Sequence, residues 1–295
     1  MTIAVAGATG YIGRALIERA LSEGSKVRAL SRDASKLPPR EGLTVVEGDL
    51  ENDAALDELL VPDCVAYFLV HGLTESGDLV ERERDLATRY GAAAERNGVA
   101  RIVYLGGLVD ETESDLSPHM QGRLAAGRAL RESPVQTIEF RASIVIGRGS
   151  FSFALIEKLV RFVPVIALPS WADNLAQPIA DEDVVAYLLA AADVDLDGDT
   201  VIEIGGADQL SYRDLVELVA RLSGSPSTTV SMPVPGIVSK AAAPLVDQLP
   251  GDAQEALKLL ESLKHASVVT DATAEGLFAI QPMSVEAAVL EALAS

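Results

Sequence analysis

The chain has 295 residues, 48% of them apolar, and a formal net charge of −20. That length and composition support a sizeable buried core, either one large domain or a domain with an appended lobe. A field of that sign repels nucleic acid and anionic membrane surfaces, and no apolar run reaches the roughly 18 residues a membrane-spanning helix needs.

In chain order, TIAVAG reads as a strand. No basic stretch or cleavage site marks this start, so no signal peptide is expected. YIGRALIERALSEG is an amphipathic helix, KVRAL and LTVVEGDL are strands, and AALDELLV is helical. CVAYFLV is a strand holding the lone cysteine, Cys64. An intrachain disulfide is therefore excluded, Cys64 reads as a small core residue, and a reducing cytoplasm is the expected compartment. LVERERDLATRYGAAAERNGV is a long helix whose apolar positions fit core packing or a second copy in a homodimer. RIVYLGG is a strand, residues 117–132 a helix, and TIEFRASIVIG a strand. The alternation implies βαβ units and an α/β fold, a doubly wound parallel sheet of the Rossmann type with helices on both faces.

After residue 147 the rhythm loosens. FSFALIEKLVRFV is helical, LPSWADNLAQPI reads as a loop, DEDVVAYLLAAA is a helix ending before Asp193, and TVIEIGG is a late strand. SYRDLVELVARLSG reads as a capped helix, and the tail from 226 is richer in proline. The expected division is a dinucleotide-type domain over 1–147 and a small C-terminal substrate lobe over 148–295, interleaved with late sheet elements at about 178–206.

AGATGYIGRAL places Gly7, Gly10 and Gly13 at G-x-x-G-x-x-G spacing, after the first strand and at the opening of a helix. That context makes a weak pattern informative. Glycines permit the tight turn and close backbone approach, and the helix start offers free N–H groups and a positive dipole end to a pyrophosphate. The expected cofactor contacts here are Gly7, Thr9, Gly10, Tyr11, Ile12 and Gly13. The second strand ends in LSRDASKL. NAD-tuned sites place a carboxylate here for the ribose, but this chain offers Ser31 and Arg32, with Lys36 one turn on. A guanidinium suits a 2′-phosphate, so NADP(H) is expected, with NAD(H) the alternative through Asp33. Asp49 and Leu50 after the third strand, and Val70, His71 and Gly72 after the fourth, are further expected contacts. His71 also reads as a loop-bonded histidine. No metal site is read.

These segments resemble the short-chain dehydrogenase/reductase superfamily, in its extended and atypical branches. AGATGYIG, the GDL after strand three and the C-terminal lobe carry the likeness. YFLVHGL, RIVYLGGL, EFRASIVIG and LPSWADNLAQPIA are similar to the YbjT-like atypical subgroup, close to the NmrA-like proteins. The resemblance implies that Leu105, Gly106, Gly107, Arg141, Ala142 and Ser143 also contact cofactor. The superfamily's best-known enzymes use a tyrosine and a lysine four residues apart, with a serine at the end of strand five. Here no tyrosine has lysine at the fourth following position, and strand five ends in glycines. The matching helix carries His119 and Arg123 instead.

Positions i and i+4 share a helix face, so His119 and Arg123 can point together. Imidazole, with a free pKa near 6.5, suits proton transfer; arginine stays charged and is expected to hold ribose or disfavour imidazolium. The expected function is an NADP(H)-dependent oxidoreductase taking a small, mainly apolar carbonyl or enone, with Phe151, Phe153 and Trp171 lining the pocket or simply filling core. The alternatives are a non-catalytic dinucleotide sensor, or an isomerase or lyase that nothing in the sequence selects. In the bland alternative for the helix, His119 lines a surface and Arg123 pairs with a carboxylate such as Glu111. Only six of the 24 basic residues are lysines. Acidic, lysine-poor surfaces resemble those of salt-accumulating cells, so a halophilic protein is expected.

Overall fold

The computed structural model describes residues 1–70, 78–232 and 263–294. Six strands come first: β1 (Thr2–Ala6), β2 (Lys26–Ser31), β3 (Leu43–Glu47), β4 (Val65–Phe68), β5 (Arg101–Gly107) and β6 (Thr137–Ala142). Between them run α1 (Tyr11–Ser22), α2 (Asp53–Leu59), α3 (Leu79–Arg96) and α4 (Pro118–Arg131). With the late strand Thr200–Ile204 they form a seven-stranded sheet ordered Thr200–Ile204, β6, β5, β4, β1, β2, β3. Every pairing in it is parallel. The succession reverses between β1 and β4, so the ligand crevice of such a sheet opens at the C-terminal ends of those two strands.

Beyond β6 the chain passes back and forth between this sheet and a lobe. It runs through β7 (Val145–Ile146), α5 (Phe151–Phe162), β8 (Val165–Pro169) and the pair Ile179–Ala180, then returns in α6 (Asp181–Ala190) and the edge strand Thr200–Ile204. Arg101 anchors the return by donating to the carbonyls of Ala191 (2.6 Å) and Val194 (2.7 Å). The lobe resumes with α7 (Tyr212–Leu222), which starts on a reciprocal Ser211–Asp214 capping box, and closes with the helix Val285–Ala294.

Strand alternation sorts side chains to two faces. Ile3 and Val5 join α1 and α6 in one core, while Ala4 and Ala6 join α2, α3 and α4 in the other. Tyr67 and Phe140 are fully buried in the first, each contributing about 1.5–3 kcal/mol. A third core, built on Phe153, Val160, Leu215 and Val219, holds the lobe. Cys64 is buried and free. The apolar positions of α3, including Ala87, Tyr90, Ala93 and Ala94, lie in the second core.

Three elements differ from the sequence expectation. TIEFRASIVIG is not one strand. Both of β6's neighbours end opposite Ala142, at Gly107 and Ile204, so the chain leaves the sheet and β7 pairs with Ile179–Ala180. LPSWADNLAQPI is not a plain loop. It holds the end of β8, a 3-10 turn at Ser170–Asp173 and the two-residue strands Leu175–Ala176 and Ile179–Ala180. The proline-rich tail supplies a strand, Thr228–Met232, parallel to β8.

Candidate active site

Each glycine of the first turn answers a different demand. Gly7 has φ +87, and a Cβ there would lie 2.5 Å from the Leu69 carbonyl oxygen. Side chains rarely adopt that conformation, so the fold itself requires glycine. A Cβ at Gly13 would collide with the Gly7 carbonyl, which lets α1 pack tightly on β1. At Gly10 the nearest atom would be the Gly7 carbonyl oxygen at 3.2 Å, and φ is an ordinary −71. The fold's demand for glycine is milder there than at Gly7 or Gly13, although a Cβ so close to a backbone oxygen would ask the turn to give by a few tenths of an ångström. The α1 N-terminus carries no side-chain cap and no carboxylate in its first turn. Its N–H groups and dipole therefore suit an anionic group, which is the fit a dinucleotide pyrophosphate requires.

A cavity of about 390 Å³ begins at this turn. Its wall includes Gly10, Tyr11, Ile12 and Gly13, then Leu69, Leu105, Gly106 and Gly107, then His119, Met120 and Arg123, and then Ala142 and Ser143. The far end is apolar, with Phe151, Leu155, Leu159, Leu168, Trp171 and Leu263. Phe153 does not line it; that ring is 1% exposed in the lobe core.

α4 holds the pair in the middle. Ser117 caps its start by accepting from the Met120 N–H, and Pro118 follows, the expected order for a helix N-terminus. His119 and Arg123 are both buried. Arg123 Nη2 donates to the Leu105 carbonyl at 2.6 Å, and the Tyr104 hydroxyl donates to the Arg123 carbonyl at 2.9 Å. Burial pushes that phenol up to about 12, so it stays a donor. Arg123 thus clamps α4 to the end of β5, a role the sequence did not suggest. Glu111 does not pair with Arg123; Arg128 and Arg141 hold it. The glycines ending β5 now have a reason: a Cβ on Gly107 would meet Met120 Cε at 2.6 Å and Arg123 Nε at 3.3 Å.

Other expected residues fall outside the cavity. Arg141 is buried in ion pairs with Glu139 (2.7 Å) and Glu111 (2.5 Å), and Arg131 also pairs with Glu139. Its guanidinium is engaged there, and only the following Ala142 and Ser143 reach the cavity wall. Leu50 is core. Asp49 is exposed and bonds the Glu51 N–H at 3.0 Å. Thr9 and Val70 are half-buried beside the turn. His71 and Gly72 lie outside the described residues. Arg32 is exposed at the end of β2, while Asp33 accepts from both the Ser35 N–H (3.0 Å) and hydroxyl (2.6 Å).

Two features escaped the sequence reading. Tyr11 donates its hydroxyl to the Asp181 carboxylate. Burial, and then that bond, push the phenol well up, so it remains protonated. This ties the start of α1 to the start of α6 over Gly147 and Gly149. Ser143, Ser267 and Tyr212 form a hydroxyl chain on the cavity wall, with Ser143–Ser267 at 2.7 Å and Ser267–Tyr212 at 3.0 Å. These residues are up to 124 positions apart, and no local pattern marks them.

The sheet order and the glycine turn at its switch point define a Rossmann-type dinucleotide fold of the short-chain dehydrogenase/reductase kind. Within it the chain belongs to the NmrA-like family, whose pattern matches residues 1–268. It is 27% identical over 249 residues to the ceramide reductase of Caulobacter vibrioides, covering 83% of this chain and 77% of that one. Among solved structures it is similar to triphenylmethane reductase from Citrobacter, with TM-score 0.76 and 16% identity over all of both chains. The Bordetella bronchiseptica enzyme WbmH, solved with NAD+, gives TM-score 0.73 and 17% identity over 99% of this chain and 97% of that one. Among the described residues no helix is long and apolar enough to cross a membrane.

Proposed function

We propose that the protein is an NADP(H)-dependent oxidoreductase that reduces a small, mainly apolar carbonyl or enone. The observation carrying this reading is the continuity of one cavity from the glycine turn, past His119, to the apolar lobe. Reductases among its relatives agree with the reaction class. Residues 1–147 would hold the dinucleotide and residues 148–295 most of the substrate, with the 178–206 return belonging to the sheet.

When bound, the nicotinamide supplies the hydride; the remaining work falls to the chain. Gly10 and the α1 N-terminus receive the pyrophosphate. Arg32 faces solvent where a 2′-phosphate would be read, and Asp33 spends its carboxylate on Ser35, which favours NADP(H) over NAD(H). Arg123, fixed on the Leu105 carbonyl, sets the position of α4 and so of His119. The imidazole donates to the substrate oxygen as negative charge gathers there. Leu155, Leu159 and Trp171 exclude water from the far end.

A second reading, a non-catalytic dinucleotide sensor, draws on the missing tyrosine, lysine and serine. Turnover separates the two. The protein is incubated at high salt with NADPH and a panel of apolar aldehydes, ketones, enones and quinones, and loss of reduced-nicotinamide absorbance is followed. Substrate-dependent oxidation is the expected result; tight NADPH binding with no oxidation across the panel would leave the sensor reading.

A further inference from the structure

Glu113, Asp115 and His265 meet beside the cavity from two separate parts of the chain. Glu113 and Asp115 lie on the β5–α4 loop, between Leu108 and His119. His265 lies between Leu263 and Ser267. All four flanking residues line the cavity. One ligand atom from each of the three side chains lies within 4.8 Å of the other two. His265 is only 10% exposed, and its Nε2 is buried without a hydrogen-bond partner. Nδ1 stands 3.7 Å from Glu113 Oε2, and Nε2 stands 3.6 Å from Asp115 Oδ1. Those separations are too long for hydrogen bonds. A single ion takes only one imidazole nitrogen, so the spacing that bears on it is that from the buried Nε2 to Asp115, close to the roughly 3.3–3.6 Å between two ligand atoms sharing a tetrahedral ion with bonds of about 2.0–2.2 Å.

Both halves of the cluster are held in place. Asp110 accepts from the Thr112 N–H (2.8 Å) and hydroxyl (2.7 Å), and Arg128 and Arg141 grip Glu111. This fixes the turn that presents Glu113 and Asp115. On the other side Asn174 donates to the Lys264 carbonyl (2.6 Å) and Tyr212 to the His265 carbonyl (3.3 Å). A buried imidazole nitrogen left unsatisfied is costly, and two carboxylates beside it repel one another. One divalent cation removes both penalties. Mixed imidazole and carboxylate donors select a borderline ion over the all-oxygen preference of calcium or magnesium.

We propose that Glu113, Asp115 and His265 bind one divalent transition-metal ion of the zinc class. The ion would pin the β5–α4 loop to the 263–267 segment and set the spacing of the cavity walls. The assignment is independent of the reductase reading. The test is calorimetric titration of the chelator-stripped full chain with ZnCl2, in excess magnesium and potassium chloride to suppress binding by the acidic surface. The wild type should take up one equivalent in a saturable step and melt at a higher temperature with zinc. His265→Ala and Asp115→Asn should each bind zinc at least about tenfold more weakly, since even outer-shell losses cost 10–100-fold. Asp115 is 76% exposed, so its variant tests the site even where His265→Ala fails to fold. Absence of a saturable equivalent in the wild type, equal displacement by magnesium, or unchanged affinity in Asp115→Asn would each overturn the site.

Discussion

Gly10 and Gly13 sit one turn apart, and their substitution by valine should have opposite consequences. At Gly13 a Cβ would be driven into the Gly7 carbonyl oxygen, with the Gly7 carbon at 3.0 Å and Ala8 Cα at 3.1 Å next in line. All are backbone atoms and cannot rotate away, so α1 must lift from β1 by most of an ångström. That helix carries Leu16, Ile17 and Ala20 into the core. Overpacking costs about 1–3 kcal/mol where side chains can yield, and more where backbone must move. We expect Gly13→Val to lose at least about 3 kcal/mol of a total on the order of 5–15, lowering the melting temperature by roughly 5–10 °C. Gly10 has extended backbone, φ −71 and ψ 169, and one neighbour at 3.2 Å. Valine there should cost about 1–2 kcal/mol, as a poorer cap and through the tight contact with the Gly7 carbonyl oxygen, less than at Gly13, yet its branches would block the approach to the α1 N–H groups. Losing one bond to a charged group, about 1.5–3 kcal/mol, weakens NADPH binding roughly 10- to 150-fold. Circular dichroism melts paired with fluorescence titration of NADPH separate the two effects. A folded Gly10→Val variant with wild-type affinity, or a Gly13→Val variant melting like wild type, would refute the assignment of the turn.

Arg32→Ala should weaken NADPH by about 1.5–3 kcal/mol and leave NADH nearly unchanged; an equal loss for both cofactors would make Arg32 structural. Hydrogen bonding from Arg128, and then from Arg141, holds the Glu111 carboxyl below the usual range. A depressed carboxylate stabilises the fold above its ordinary value near 4.3, and that contribution fades as pH falls through the folded value. Glu111→Gln should therefore lower the urea midpoint at pH 7 and match wild type near about pH 3, whereas a gap widening toward acid would contradict the sign. The −20 net charge predicts a rise in thermal stability from dilute buffer to molar KCl as self-repulsion is screened, and a flat response would remove the halophilic reading.

The parts legible in the sequence are those with local physics. Ile3 and Val5 alternate with Ala4 and Ala6 to announce a doubly covered strand, the glycine spacing announces the turn, and Ser211 with Asp214 announces a cap. The parts that were not legible depend on pairing between distant segments. Where β6 stops is decided by the lengths of β5 and Thr200–Ile204, which no window around Ser143 contains. The two-residue strands at 175–176 and 179–180 are too short to have a period. Arg141 was expected at the cofactor through the family resemblance alone. Only the fold shows that Glu111 and Glu139 engage it first, and only the fold joins Tyr212 and Ser267 to Ser143.

In the proposed dinucleotide-dependent reduction, His119 handles the substrate oxygen. The most direct test of this role is single-turnover NADPH oxidation by wild type and His119→Ala, on whichever carbonyl or enone the panel identifies, with NADPH affinity measured alongside. The rate should fall by about 100-fold or more, as removal of a general acid typically gives, with NADPH binding unchanged. A near-normal rate in a variant that still binds NADPH would contradict this role and take His119 out of the chemistry.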